Sequence, residues 1–209
     1  MSSRLGGDPN EEEPMIAAPY LPDKRDWTVD DVASLPEDLH YELIDGRLVL
    51  TPSPLPFHQF IGLEVSHALR DRCPADVFIT VDQSVLIDHH NEPRPDVVLL
   101  REEGADRTPV LAADVLLAVE IISPESSIRD RRDKMKIYAD AGIPAYWIID
   151  PLGERVTFTE CVLSEGGPYH EHVQTDGLVT IDRPWEVTLD LPAWTRRRDR
   201  LREVARPDV

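Results

Sequence analysis

The chain is short of positive charge, of cysteine and of long apolar runs, and each shortage narrows what it can be. Its 40 acidic residues against 22 basic ones give a formal net charge of -18. That balance works against the long-range attraction most nucleic-acid binders use, although net charge does not fix local charge. Two cysteines, Cys73 and Cys161, stand far apart in sequence and read as reduced thiols rather than a disulfide framework or a metal pair. No run of about 18 apolar residues occurs, and the opening MSSRLGGDPNEEEPM lacks the basic-then-apolar order of a secretory signal. The expectation is a soluble, cytoplasmic protein without a membrane span. Lysine is the scarcest charged residue: Lys24, Lys134 and Lys136 stand against 19 arginines, and two of these three share one short segment.

At 209 residues and 41% hydrophobic, the chain can bury one substantial core. Residues 1–25 are rich in Pro, Gly, Ser and acid without periodicity, and read as a disordered or loosely ordered tail. Residues 26–195 carry the patterned elements of a single domain, and 196–209 form a locally basic C-terminal tail. Thr28 is placed to cap a short helix, and Asp45-Gly46 between β-favouring runs predicts a two-residue hairpin. HQFIGLEVSHALRDRC puts Phe60, Ile61, Val65, Ala68 and Leu69 on one helical face. VFITV, SVLI and DVVLL suggest a meander, DVLLAVEII and PAYWIID read as buried strands, and the helix between those two closes at Gly142. The order predicts an α/β fold, a mixed sheet flanked by helices.

Glu120 sits inside the apolar run LLAVEIIS, where an ionised carboxylate faces a large desolvation cost unless it is paired or bound to a cation. Asp96 opens another strand after Pro95. Adjacent strands would bring the two anions together, where a hard cation such as magnesium or manganese relieves their repulsion. Asp130, Lys134 and Tyr138 are spaced by four and share one helical face. A lysine ammonium there can orient water and stabilise charge developing on a phosphate.

These segments resemble a known family, the Uma-type putative restriction endonucleases of the PD-(D/E)XK nuclease superfamily. The resemblance spans roughly residues 28–165 and rests on YELIDGRLV, TPSPLPFHQ, RPDVVLL, VEIISPESS and the D-x-x-x-K-x-x-x-Y-x-x-x-G-I-P-x-Y-W-I-I-D pattern from Asp130 to Asp150. It implies a restriction-endonuclease-like PD-(D/E)XK core. It implies Asp96 and Glu120 as metal ligands together with the carbonyl of Ile121, and Glu42 and His58 as further site residues. The superfamily's usual lysine position, two residues after the glutamate, holds Ile122 here, so Lys134 on the following helix takes that role. The implied activity is magnesium-dependent, or manganese-dependent, hydrolysis of DNA phosphodiesters. Two related sites suit the cutting of two strands, so a homodimer is one expected assembly.

Each residue has a plainer reading. Asp96 alone is a turn-side cap, Glu120 a strand-end glutamate paired with an arginine, Lys134 a surface residue bonded to Asp130, Glu42 a solvent-facing strand residue, and His58 a capping or packing residue. Two other functions stay open beside the nuclease. One is a catalytically inactive nuclease-fold module that binds or interacts, for which Ile122 and the acidity speak, and the other is an acidic scaffold with no nucleic-acid role.

Overall fold

The structure, a computed structural model, describes residues 24–36 and 39–205. The tail expected over 1–25 lies outside the described residues except for its last two. Thr28 caps α1 (Val29–Val32) with a full capping box, its side chain accepting from the Asp31 amide while Asp31 accepts from the Thr28 amide. β1 (Tyr41–Ile44) and β2 (Arg47–Leu50) form the predicted hairpin. Its two central residues, Asp45 and Gly46, have φ of 48° and 69°, the left-handed values a tight hairpin requires. Helix α2 (Pro56–Arg70) begins with proline in its first turn, where the missing amide costs nothing.

The remaining elements are β3 (Val77–Val81), β4 (Val85–Leu86), β5 (Val97–Arg101), β6 (Val110–Leu111), β7 (Val115–Ile121), a π-helical stretch (Arg129–Lys134) running into α3 (Met135–Asp140), β8 (Ala145–Asp150), β9 (Thr157–Leu163), β10 (Tyr169–Thr175), β11 (Leu178–Ile181), β12 (Val187–Asp190) and α4 (Leu191–Val204). Six strands form one mixed sheet in the order β10-β9-β8-β7-β5-β3. Only β7 and β8 run parallel, because the π stretch and α3 cross over between them. The other neighbours are antiparallel.

Strand alternation sorts the core into two layers. Val97, Leu99, Leu117, Val119, Ile121, Trp147 and Ile149 face α2 and the β12–α4 segment, where they meet Ile61, Val65, Leu69, Leu189 and Trp194. Val98, Leu100, Ala118, Ile122, Tyr146 and Ile148 face the other way, against Tyr138 and Ile143. Glu120, between Val119 and Ile121, therefore belongs to the α3 face.

Two expectations change. The meander does not form: β3 pairs with β5 directly, and the two-residue β4 leaves the sheet to pair in parallel with β6. Asp82, at a φ of 51°, turns the chain after β3 before a third long strand can build. The basic C-terminal stretch from 196 is not a separate tail either, since α4 runs through it to Val204. Arg198 is buried there, donating to the carbonyls of Pro151, Gly153 and Glu154. Among the described residues, no helix is long and apolar enough to cross a membrane, and both cysteines are free thiols.

Candidate active site

Asp96 precedes β5, and the register that pairs Val97 with Val119 sets Asp96 opposite Glu120 one step further on. Its carboxylate is fixed from two sides: Oδ2 accepts the Ile121 amide at 2.6 Å and Oδ1 lies 2.8 Å from His58 Nε2, in the first turn of α2. Burial works to lower the His58 pKa, but the hydrogen bond and charge of Asp96, with the charge of Asp130 behind them, outweigh it and leave the pKa raised.

Glu120 points into the layer of α3, where Lys134 Nζ donates to its Oε1 at 2.9 Å and Tyr138 Oη to the same oxygen at 2.8 Å. Lys134 Nζ also lies 2.6 Å from Glu42 Oε1 and 3.3 Å from Asp130 Oδ1. All four charged residues are deeply buried: Glu42 and Glu120 at 3% exposure, Lys134 at 2% and Asp130 at 1%. β1 delivers Glu42 because its neighbour Leu43 exchanges both backbone hydrogen bonds with Glu92, and Glu42 Oε1 in turn accepts the Arg94 amide at 2.9 Å. The hairpin is thereby tied to the very segment that leads into Asp96. On the helical side, Ser123 and Ser126 bond one another's amides and start the turn, and the Tyr146 hydroxyl donates to the Asp130 carbonyl at 2.8 Å. The segment carrying Asp130 and Lys134 is π-helical, a conformation frequent at functional sites.

Acid exceeds base in this cluster. Burial drives the Glu120 pKa well above the carboxylate range, against the pull of Lys134 and with the help of Asp130, Asp96 and Glu42. Burial raises Asp130 as well. Burial would lower Lys134, but Glu120, Glu42 and Asp130 together hold its ammonium well above the usual range. The lysine is thus charged, and the surplus of acid around it shows as carboxyl groups that hold their protons more tightly than usual.

This surplus bears on whether a divalent ion suits the site. Asp96, Glu120 and the Ile121 carbonyl offer only hard oxygen donors, and Asp130 Oδ1 is buried with no hydrogen-bond partner beyond its ion pair with Lys134. Among the described residues, no group of three or more His, Cys, Asp or Glu side chains is arranged to hold an ion. Magnesium does not need one, since it binds through one or two carboxylates and completes its shell with water and phosphate. The donor chemistry fits.

Asp96, Glu120, Ile121, Lys134, Glu42 and His58 all meet here. Three of the plainer readings fall with that: Glu42 does not face solvent, Lys134 is not a surface residue, and the partner of Glu120 is a lysine. The Tyr138 hydroxyl joins them, on the helical face that its spacing of four from Lys134 defines, although the sequence assigned it no contact with Glu120.

A family model described as Uma2, putative restriction endonuclease, matches residues 29–196. A crystal structure from Anabaena variabilis, described as a putative nuclease belonging to DUF820, superposes with a TM-score of 0.64 at 18% identity, covering 80% of this chain and 98% of that one. The likeness establishes a shared, restriction-endonuclease-like fold. No curated protein sequence matches the chain.

Proposed function

The chain belongs to the Uma2 family of putative restriction endonucleases, and from that membership and the geometry of its buried cluster we propose that it is a metal-dependent endonuclease hydrolysing DNA phosphodiesters. One observation carries the reading: Asp96, just before β5, accepts the amide of Ile121 next to Glu120 on β7, and Lys134 reaches Glu120 from the following helix at 2.9 Å. Magnesium or manganese held by Asp96, Glu120 and the Ile121 carbonyl would offset charge on the phosphate and acidify water.

The protein's own groups do the rest. Lys134, held between Glu42, Glu120 and Asp130, presents a fixed ammonium to the attacking water and to the charge that builds on the phosphate oxygens. Tyr138 keeps the Glu120 carboxylate in one orientation, and His58 does the same for Asp96. Glu42 positions the lysine, because its Oε1 is already bonded to both Nζ and the Arg94 amide.

A second reading, a catalytically inactive nuclease-fold module, is favoured by the three carboxylates that already occupy Lys134 and by Ile122 at the usual lysine position. Nicking of supercoiled plasmid with magnesium, manganese or chelator separates the two. The endonuclease nicks only with metal, loses nicking in Asp96→Asn and Glu120→Gln, and slows by about 100- to 1,000-fold in Lys134→Ala. Folded wild-type protein that binds DNA but nicks with neither metal supports the inactive module instead.

A further inference from the structure

In a chain this acidic, an arginine without a carboxylate partner beside the buried cluster marks a place where a phosphate can approach. Arg94, Arg131 and Arg132 are tied to Asp82, Asp150 and Asp133, whereas Arg47 and Arg129 have no carboxylate partner among the described residues. Arg129 Nη1 donates to the Glu125 carbonyl at 3.0 Å, and its buried Nε has no partner. A donor hidden from water and left unpaired costs free energy that an incoming acceptor recovers.

Both arginines, with Arg132, line a cleft of about 380 Å³ between the β1–β2 hairpin and the π-helical stretch. The cleft shares both walls with the carboxylate cluster. From β1, Glu42 enters the cluster while Ile44, two residues on, lines the cleft; from the helical stretch, Asp130 and Lys134 point inward while Arg129 and Arg132 line the cleft. Its three guanidinium groups face only two carboxylates, those of Asp45 and Asp133, so the lining is locally positive in a chain of net charge -18. Ile44 and Val49 add an apolar floor, and Ile128 stands 70% exposed at the rim.

We propose that this cleft seats a phosphate of the nucleic-acid strand next to the one being cut, with Arg47, Arg129 and Arg132 as its ligands and Ile128 against the adjoining sugar. The assignment rests on the nuclease reading for its substrate, but its residues are distinct from the buried cluster. A planar guanidinium fork suits phosphate geometry, and the adjacent cluster lies within a short step along the same walls. It also explains how so acidic a protein could hold DNA: attraction is confined to one channel beside the site. The exposed arginines of α4, Arg196 and Arg197, are the competing location.

The test is fluorescence anisotropy of a labelled DNA duplex with the full chain, in calcium to fill oxygen sites, across a salt series. Arg129→Gln/Arg132→Gln and Arg47→Gln should weaken binding and flatten the slope of log K against log salt by about 1 for each phosphate no longer neutralised. Arg196→Gln/Arg197→Gln should leave the slope unchanged. Melting curves verify that each variant is folded. A slope that falls only in the α4 variant, or a wild type without salt-dependent binding, overturns the cleft. The two readings fail separately: binding that depends on the cleft arginines without any nicking defeats the nuclease alone, and nicking lost in Glu120→Gln with binding indifferent to those arginines defeats the cleft alone.

Discussion

Replacing Lys134 with methionine keeps most of the stem and removes the ammonium from the middle of three carboxylates. The nitrogen lies 2.6 Å from Glu42, 2.9 Å from Glu120 and 3.3 Å from Asp130, all almost fully buried. At an effective dielectric of about 20, unit charges ~3 Å apart attract by roughly 5 kcal/mol, and the desolvation of the groups cancels much of that sum. What survives is the cost of leaving buried anions without their cation, about 3–5 kcal/mol, equivalent to a melting temperature lower by ~6–20 °C in a chain of this size. The deficit must also depend on pH in one direction. Glu120 and Asp130 have raised pKa values, so their stabilising contribution is complete below the ordinary carboxylate pKa and is lost as pH rises through the raised folded values. Lys134 is the group that holds those values down, so the methionine variant should lose this contribution more completely at neutral pH. Lowering the pH protonates the carboxylates and shrinks the deficit. Urea melts of both proteins at pH about 7.5 and about 5 measure it. A loss under about 1 kcal/mol at the higher pH, or a deficit that grows on acidification, would refute the claim that this ammonium neutralises the cluster.

Tyr138→Phe removes a single buried donor to Glu120 and should cost about 1.5–3 kcal/mol in the same melts, the range for hydrogen bonds to charged groups; no loss would mean that the hydroxyl is not bonded to the carboxylate. His58→Gln tests the contact with Asp96 through pH. The His58 pKa is raised above 6.5, so its contribution is full below that value and disappears as pH rises through the folded one; the gap in melting temperature between wild type and variant should narrow accordingly, and a gap independent of pH contradicts the ion pair. Gly46→Ala forces a left-handed φ of 69° on a residue with a Cβ, which would stand 2.7 Å from Asp26 Oδ1. Because Asp26 is an exposed side chain that can swing away, the loss should be chiefly the backbone cost of about 1–2 kcal/mol, visible as a thermal shift, and an unchanged melting temperature would mean that the turn has another shape.

What was legible in the sequence divides by the range over which each feature is encoded. Asp45-Gly46, the Thr28 cap and Gly142 at the end of α3 state their turns within two to four residues, and the structure has them where expected, Gly142 at a φ of 77°. The α3 face was legible because Asp130, Lys134 and Tyr138 are local to one helical segment, and Glu120 because a carboxylate in an apolar strand requires a partner. The contacts that spacing could not show depend on pairings between segments far apart in the chain, even where the resemblance had named the residues. His58 meets Asp96 across 38 residues and Glu42 meets the Arg94 amide across 52, so no periodicity announces either. The β4 segment has the β-branched composition of a sheet strand, yet its partner is β6, 25 residues on, and composition cannot choose between partners.

Arg198 makes the same point from the opposite side. Within TRRRDR it looks like its neighbours, and charge alone assigns the whole run to solvent. In the fold it is 3% exposed, closing the Pro151–Glu154 turn after β8 by donating to three carbonyls, while Arg196 and Arg197 remain exposed. The distinction follows from helical spacing: Leu191, Trp194 and Arg198 fall at i, i+3 and i+7 on the face that α4 turns to the core. A pattern that counts arginine as polar stops at Trp194, whereas one that allows a long aliphatic stem capped by carbonyls extends the apolar stripe one turn further. The same allowance applies to Lys134, whose stem crosses a buried layer to reach the carboxylates. Arg198 and Lys134 are thus two basic residues that continue a buried helical face and are held inside the fold.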